Sequence, residues 1–145
     1  MRFLQPCETA ASVLGIDYER LRESGIHGLL FDLDRTLGPA HMAVLPHASE
    51  ALLSRLEVQG FRIGILTNRR WSSDDPVIRS LAQRFPTLDH ARKPRRAGFN
   101  RLLAQLRMDA SATAMIGNSR LTDVWGANRV GMHSILVRSA PQIEG

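Results

Sequence analysis

The sequence is short of cysteine, lysine and long apolar runs, and each shortage removes a class of protein. Cys7 is the only cysteine, so neither a disulfide framework nor a cysteine metal cluster holds the fold, and a reducing, cytoplasmic setting fits. The five histidines, at 27, 41, 47, 90 and 133, fall at no ligand spacing, which argues against zinc. No apolar run approaches the ~20 residues that cross a bilayer, and the N-terminus lacks a signal-peptide layout. Repeats, low-complexity tracts and linkers are missing too. Of the 19 basic residues one alone, Lys93, is lysine. What remains is ordinary for a globular chain: 145 residues, 43% apolar and 23% charged, enough for one domain with a real core. The net charge of +5 points to a polyanionic partner or surface without naming one.

The rest is arranged around Gly28-Leu29-Leu30-Phe31-Asp32-Leu33-Asp34-Arg35-Thr36-Leu37. Leu29 to Phe31 is a continuous apolar run, as in a strand covered on both faces. Asp32 and Asp34 fall at its carboxyl end, where open α/β sheets hold ligands. Two carboxylates one residue apart repel unless a cation or a shared proton relieves them. They are either solvated acids at a strand end, or a nucleophile and a proton donor beside a metal.

Before this stretch, Glu8 to Leu14 and Asp17 to Ser24 read as short helices, the second capped by Asp17 and stopped by Gly25. After it, strands are expected at Phe61 to Leu66, Thr87 to His90, Ala112 to Ile116 and Ser134 to Val137. Helices are expected from Pro46 to Gln59, from the Ser73-Asp74-Asp75-Pro76 turn to before Pro86, and over Ala97 to Leu106 and Thr122 to Val130. The tail from Ser139 reads as loose. Strands alternating with helices mean right-handed crossovers. The expected architecture is a Rossmann-like three-layer α/β sandwich on a five-stranded parallel sheet. It forms one domain over residues 1–145, with residues 1–27 as an N-terminal helical extension.

If those strands are ordered 3-2-1-4-5, counting from the Leu29 strand, the polar residues at their ends share one crevice. Each then has a task in phosphoryl transfer. Asp32 attacks phosphorus and forms an aspartyl-phosphate. Asp34 protonates the leaving oxygen and later deprotonates water. Thr67 and Asn68 bind equatorial oxygens. Lys93 and Mg²⁺ neutralise the charge gathering on the phosphoryl group, and Mg²⁺ suits an oxygen-rich donor set without His or Cys.

Asp32-Leu33-Asp34-Arg35-Thr36-Leu37 resembles the first motif, Asp-x-Asp-x-Thr, of the haloacid dehalogenase-like phosphatases. Thr67, Lys93 and the run Gly117 to Asp123 match the second, third and fourth motifs in order. The Asp123 to Met132 run and the Phe3-Leu4-Gln5-Pro6 start are similar to the YqeG-type branch of subfamily IIIA. The resemblance implies a capless phosphate-monoester hydrolase. It implies Mg²⁺ on the Asp32 carboxylate, the Asp34 main-chain oxygen and residue 118. Between Asp34 and Thr67, and between Thr67 and Lys93, the chain is too short for a cap. An open site suits a phosphate carried on something large. Relatives in a neighbouring branch hydrolyse phosphatidylglycerophosphate, which makes that lipid the leading substrate by analogy, met at the inner membrane face.

The fourth motif opens Gly117-Asn118 where the family pattern has Gly-Asp. An amide oxygen still ligates Mg²⁺ but brings no charge, so a weaker metal site is expected, with Asp123 as the remaining acid. Arg35 is expected to point away from the site. Arg69, Arg70 and the run Arg92-Lys93-Pro94-Arg95-Arg96 form either a solvated face or a rim that holds an anionic membrane or a second phosphate, with Trp71 beside it as a buried residue or an interfacial anchor. His41 and His133 are expected in structural roles, and Asn128 and Arg129 in a local polar network. The competing readings are a phosphatase of nucleotides, nucleic-acid ends or sugar phosphates, and a catalytically weakened module that docks on RNA or protein through its basic surface.

Overall fold

The structure is a computed structural model and describes residues 2–70 and 74–144. Trp71 and Ser73, singled out above, lie outside the described residues. The apolar run becomes strand β2, Gly28–Phe31, with all four residues buried. In the sheet it lies between β3, Arg62–Leu66, and β5, Thr113–Gly117, both parallel to it. Beyond β3 comes β4, Thr87–Leu88, and beyond β5 comes β6, His133–Val137. The expected order of these five strands therefore holds. The continuous apolar character of β2 follows from its two covered faces. Leu29 and Phe31 join Ile63, Ile65, Leu52 and Leu56 on one side, while Leu30 joins Leu66, Phe99, Leu102 and Met115 on the other.

The sheet has a further strand, and the N-terminal segment is corrected by it. Glu8–Ala10 is not helical but forms β1, parallel to β6 at the sheet edge, with Glu8 beside Ile135 and Ala10 beside Val137. Among the described residues the sheet is six-stranded, in the order β1-β6-β5-β2-β3-β4. A three-residue strand has no measurable periodicity, and long-range bonds decide its state. The Cys7 amide donates to the Ser134 carbonyl at 2.9 Å. Glu8 accepts from Arg20 at 2.6 Å and pairs with His133 Nε2 at 2.7 Å. The Asn128 amide group donates to the carbonyls of Phe3 and Gln5, at 3.1 and 2.9 Å.

The helices follow their expected signals closely. Helix α1, Tyr18–Glu23, is capped by the Asp17 side chain, which accepts from the Arg20 amide. Helix α2, His47–Val58, starts just after Pro46, and α3, Pro76–Ala82, has Asp75 as N-cap and Pro at its first position. Helix α4 is Arg96–Leu106. The expected helix 122–130 divides into a π-helical turn over Arg120–Val124 and α5, Trp125–Val130. The β4 strand is shorter than expected because His90 and Arg92 take left-handed conformations, φ 49° and 56°, and turn the chain. The tail is held at Ser139, whose amide and hydroxyl both donate to the Ala11 carbonyl. Among the described residues no helix is long and apolar enough to cross a membrane.

Candidate active site

Parallel register puts Phe31 level with Ile65 on one side and Ile116 on the other. The residues that follow, Asp32, Thr67 and Asn118, thus emerge at one end of the sheet, as the strand order requires. Asp32 is 8% exposed, and its amide donates to the Ile116 carbonyl, which fixes the backbone.

Lys93 is the hub. Its Nζ donates to Asp32 Oδ1 at 2.7 Å, to Asp123 Oδ1 at 2.7 Å and to the Leu66 carbonyl at 2.9 Å, which uses all three of its hydrogens. The residue is 5% exposed. Burial alone would lower its pKa, but Asp123 and Asp32 outweigh that and raise it, so Lys93 is a cation. Two carboxylates against one ammonium leave a surplus negative charge in a dry pocket. It tells on Asp123, whose pKa burial pushes up to about 6, with Asp32 adding to the rise and Lys93 opposing it.

Asp123 reaches Lys93 through the π-helical turn, in which the Val124 amide bonds back to the Ser119 carbonyl. Such turns recur at functional sites because they swing one side chain out of helical phase. A Cβ on Gly117 would lie 2.2 Å from Asp123 Oδ2, so only glycine lets this carboxylate into its position. Asp123 Oδ2 accepts from the Ser119 amide at 3.2 Å. With both oxygens engaged, Asp123 is arranged as the partner of Lys93 rather than as a direct ligand of a metal.

On the other side of Asp32, Oδ2 accepts from the Thr36 hydroxyl at 3.1 Å. Asn118 Oδ1 lies 3.4 Å from the same hydroxyl. One hydroxyl has one hydrogen. Carboxylate, hydroxyl and amide oxygens therefore converge beside a surplus negative charge, and such a set fits a hard divalent cation better than a soft one. Among the described residues no group of three or more His, Cys, Asp and Glu side chains could hold a metal. The donor set here, one carboxylate with a hydroxyl and an amide oxygen, fits a hard divalent cation such as Mg²⁺ with less charge than a full carboxylate set.

Asp34 and Asn68 each have partners of their own. The Asp34 carboxylate accepts from Arg69 Nε at 3.1 Å, from Arg69 Nη2 and from the His41 amide at 2.9 Å. Partial burial works to raise its pKa, but the Arg69 guanidinium and the His41 N–H prevail and lower it. Asp34 is thus in base form, tethered through Arg69 to Asp75 at 3.1 Å. The Asn68 side chain is engaged with Lys93: its Oδ1 accepts from the Lys93 amide at 2.8 Å and its Nδ2 donates to the Lys93 carbonyl at 3.3 Å. Asn68 therefore positions the lysine. Thr67 is 1% exposed and its hydroxyl accepts from the Arg69 amide at 2.9 Å.

Two features were not legible in the chain. Arg69, which lines a cavity beside the site, is also a structural clamp, joined to Asp34 and Asp75 and donating to the Met42 carbonyl at 3.3 Å. Arg35 does not point away: held at φ 61°, it lines a cavity that also reaches Asn118. A left-handed arginine inside a motif leaves no trace in composition or spacing. His133 and Asn128 do take the structural roles expected of them, on Glu8 and Ser134.

A family model described as HAD-hydrolase-like matches residues 90–141. The probable phosphatase YqeG of Bacillus subtilis (strain 168) is 29% identical over 147 residues, which cover 99% of this chain and 83% of that protein. The chloroplastic phosphatidylglycerophosphate phosphatase 1 of Chlamydomonas reinhardtii is 31% identical over 140 residues, 92% of this chain and 52% of the algal one; this chain thus spans about half of that enzyme. In fold, the crystal structure of a Listeria monocytogenes serotype 4b protein aligns with a TM-score of 0.65 at 23% identity, covering 82% of this chain and 84% of that one. The solution structure of the core domain of a putative phosphoglycolate phosphatase from Streptococcus pneumoniae TIGR4 aligns with a TM-score of 0.58 at 21% identity, covering 83% and 89%. The chain is thus similar to haloacid dehalogenase-like hydrolases, and these likenesses support a phosphatase of that class. Within that class the likeness is to the YqeG type.

Proposed function

We propose that this phosphatase hydrolyses phosphate monoesters through an aspartyl-phosphate on Asp32, and that its substrate is a lipid-linked phosphate such as phosphatidylglycerophosphate. The observation that carries the chemistry is the Lys93 ammonium shared between Asp32 and Asp123. It holds the nucleophile in place at 2.7 Å and sits where charge gathers as phosphorus is transferred. Asp32 attacks phosphorus, the bond to the leaving oxygen breaks, and that oxygen takes a proton from Asp34. Water then attacks the acyl-phosphate, gives its proton to Asp34, and inorganic phosphate leaves. The base form of Asp34 on Arg69 suits the second half; the first requires Asp34 to be protonated and released from Arg69. The Thr67 hydroxyl donates to an equatorial oxygen and the ammonium neutralises the phosphoryl charge from its place beside Asp32, while Asn68 and Asp123 position Lys93. Asp32, the Asp34 main-chain oxygen and Asn118 would hold Mg²⁺, which would screen the incoming phosphoryl charge from the nucleophile.

The lipid assignment is supported by the kinship to the Chlamydomonas enzyme and by an open site, bordered by a cavity of about 320 Å³ lined by His41, Met42, Ala43, Arg69 and Arg70. Net positive charge would favour an anionic membrane surface. Phosphate release with Mg²⁺ from phosphatidylglycerophosphate in vesicles should exceed release from nucleotides and sugar phosphates by about tenfold or more in kcat/KM. Equal or better turnover of the soluble esters would replace the lipid by the second class of substrate. The neutral amide at 118 sets a further expectation. Asn118→Asp adds a charged ligand and should lower the half-saturating Mg²⁺ concentration by about tenfold. This is read from Mg²⁺-dependent thermal stabilisation as well as from turnover, and an unchanged Mg²⁺ response would remove residue 118 from the metal site.

A further inference from the structure

We infer that the cavity beside Asn118 is the leaving-group subsite, and that it selects phosphomonoesters whose leaving alcohol carries a second phosphate. The inference rests on the monoester chemistry proposed above and names the substrate feature which that chemistry leaves open. The cavity, about 560 Å³, is lined among others by Arg35, Pro39, Asn118, Leu136, Arg138 and Ala140, a size that suits a small organic group. It begins at the site itself. Asn118 Oδ1 lies 3.4 Å from the Thr36 hydroxyl, and that hydroxyl donates to Asp32 at 3.1 Å. A group leaving from a phosphorus held at Asp32 has this space next to it.

The charge in the cavity is what selects. Arg35 comes from the loop after β2 and Arg138 from the end of β6, and both are exposed. Among the described residues neither forms an ion pair, whereas Arg20, Arg69 and Arg84 each do. Two guanidinium groups without a carboxylate, facing one space from separate elements, form a receptor for a multiply charged oxyanion. Their backbones are pinned. The Arg35 amide donates to the Gly38 carbonyl at 2.8 Å, and the Arg138 amide to Ala10 at 3.2 Å. Arg35 also holds φ 61°, a conformation costly for a residue with a Cβ, which the loop maintains all the same. Pro39, Leu136 and Ala140 line the same cavity and add apolar surface. A short carbon chain joining two phosphates suits such a lining: reacting phosphate at Asp32, carbons on the apolar residues, second phosphate on the arginines.

The test uses the full chain with Mg²⁺ and compares kcat/KM for glycerol 1,3-bisphosphate and glycerol 1-phosphate. The wild type should prefer the bisphosphate by about tenfold or more, and Arg35→Gln or Arg138→Gln should each cut that preference by about three- to tenfold. Arg101→Gln, which removes the same charge from α4, should leave the preference in place. Phosphatidylglycerophosphate in mixed micelles should show the same dependence on Arg35 and Arg138. A dependence confined to the micelles would indicate surface attraction and overturn the inference, as would a wild-type preference near one or variants that slow both esters in proportion. Calorimetric binding of the bisphosphate to Asp32→Asn separates this inference from the reading beneath it. Binding that weakens in the added arginine variants upholds the subsite even where no ester is hydrolysed, in which case the hydrolytic reading alone fails.

Discussion

Asp32→Asn should cut phosphatase turnover by about a thousandfold or more, which corresponds to about 4 kcal/mol of lost transition-state stabilisation. The amide keeps the shape of the side chain but cannot form the acyl-phosphate, so the nucleophilic route closes rather than slows. The fold should survive. Lys93 keeps Asp123 at 2.7 Å and the Leu66 carbonyl at 2.9 Å, and the pocket loses its surplus negative charge. Steady-state release of inorganic phosphate measures the first effect and thermal denaturation the second. A variant that keeps more than about a tenth of wild-type turnover, with its fold intact, would show that Asp32 is not the nucleophile.

The second large effect falls on stability. Lys93→Met leaves Asp32 and Asp123, 8% and 1% exposed, buried without their cation. Removing one partner from a buried charge network costs about 3–5 kcal/mol, because the charge left behind stays desolvated. The cost should depend on pH. Without the ammonium, burial and the neighbouring Asp32 carboxylate act unopposed to raise the Asp123 pKa above its unfolded-state value, so the folded variant binds more protons than the unfolded chain. Its stability therefore rises as pH falls through that raised pKa. Asp123 already stands at about 6 with Lys93 present, so the deficit against wild type should shrink between pH 7.5 and pH 5. Urea denaturation at the two pH values checks both statements. A deficit that stays the same at both, or is under about 1 kcal/mol at pH 7.5, would mean that the three groups are not the tight cluster described. Activity should be lost as well, since the same ammonium neutralises the transferring phosphoryl group.

How far the chain could be read varies with the range of the interaction involved. The apolar run at Leu29 to Phe31, the glycines after α1, α2 and α5, and the cap at Asp17 act within a few residues, and they come out as expected. The order 3-2-1-4-5, a condition rather than a derivation at the level of the sequence, holds in the sheet, and with it Asp32, Thr67, Lys93 and Asn118 converge. Their partners were not foreseeable. Asp34 spans 35 positions to its arginine, and Asn68 spans 25 to the main chain it clamps. Several acceptors in the chain suit each such donor equally well.

Sequence alone therefore determined the class of the molecule: a parallel α/β sheet whose strand ends carry two acids, a threonine, a lone lysine and an amide in the order of a phosphatase. Tertiary structure decided how those groups share charge. It placed one ammonium between two carboxylates 91 positions apart in the chain, put Asp34 in the grip of Arg69, made Glu8–Ala10 an edge strand, and turned Arg35 into a cavity beside Asn118. The reason is physical. Apolar periodicity and caps are properties of contiguous residues, whereas the pairing of buried polar groups is settled by which donors and acceptors meet once water has been excluded.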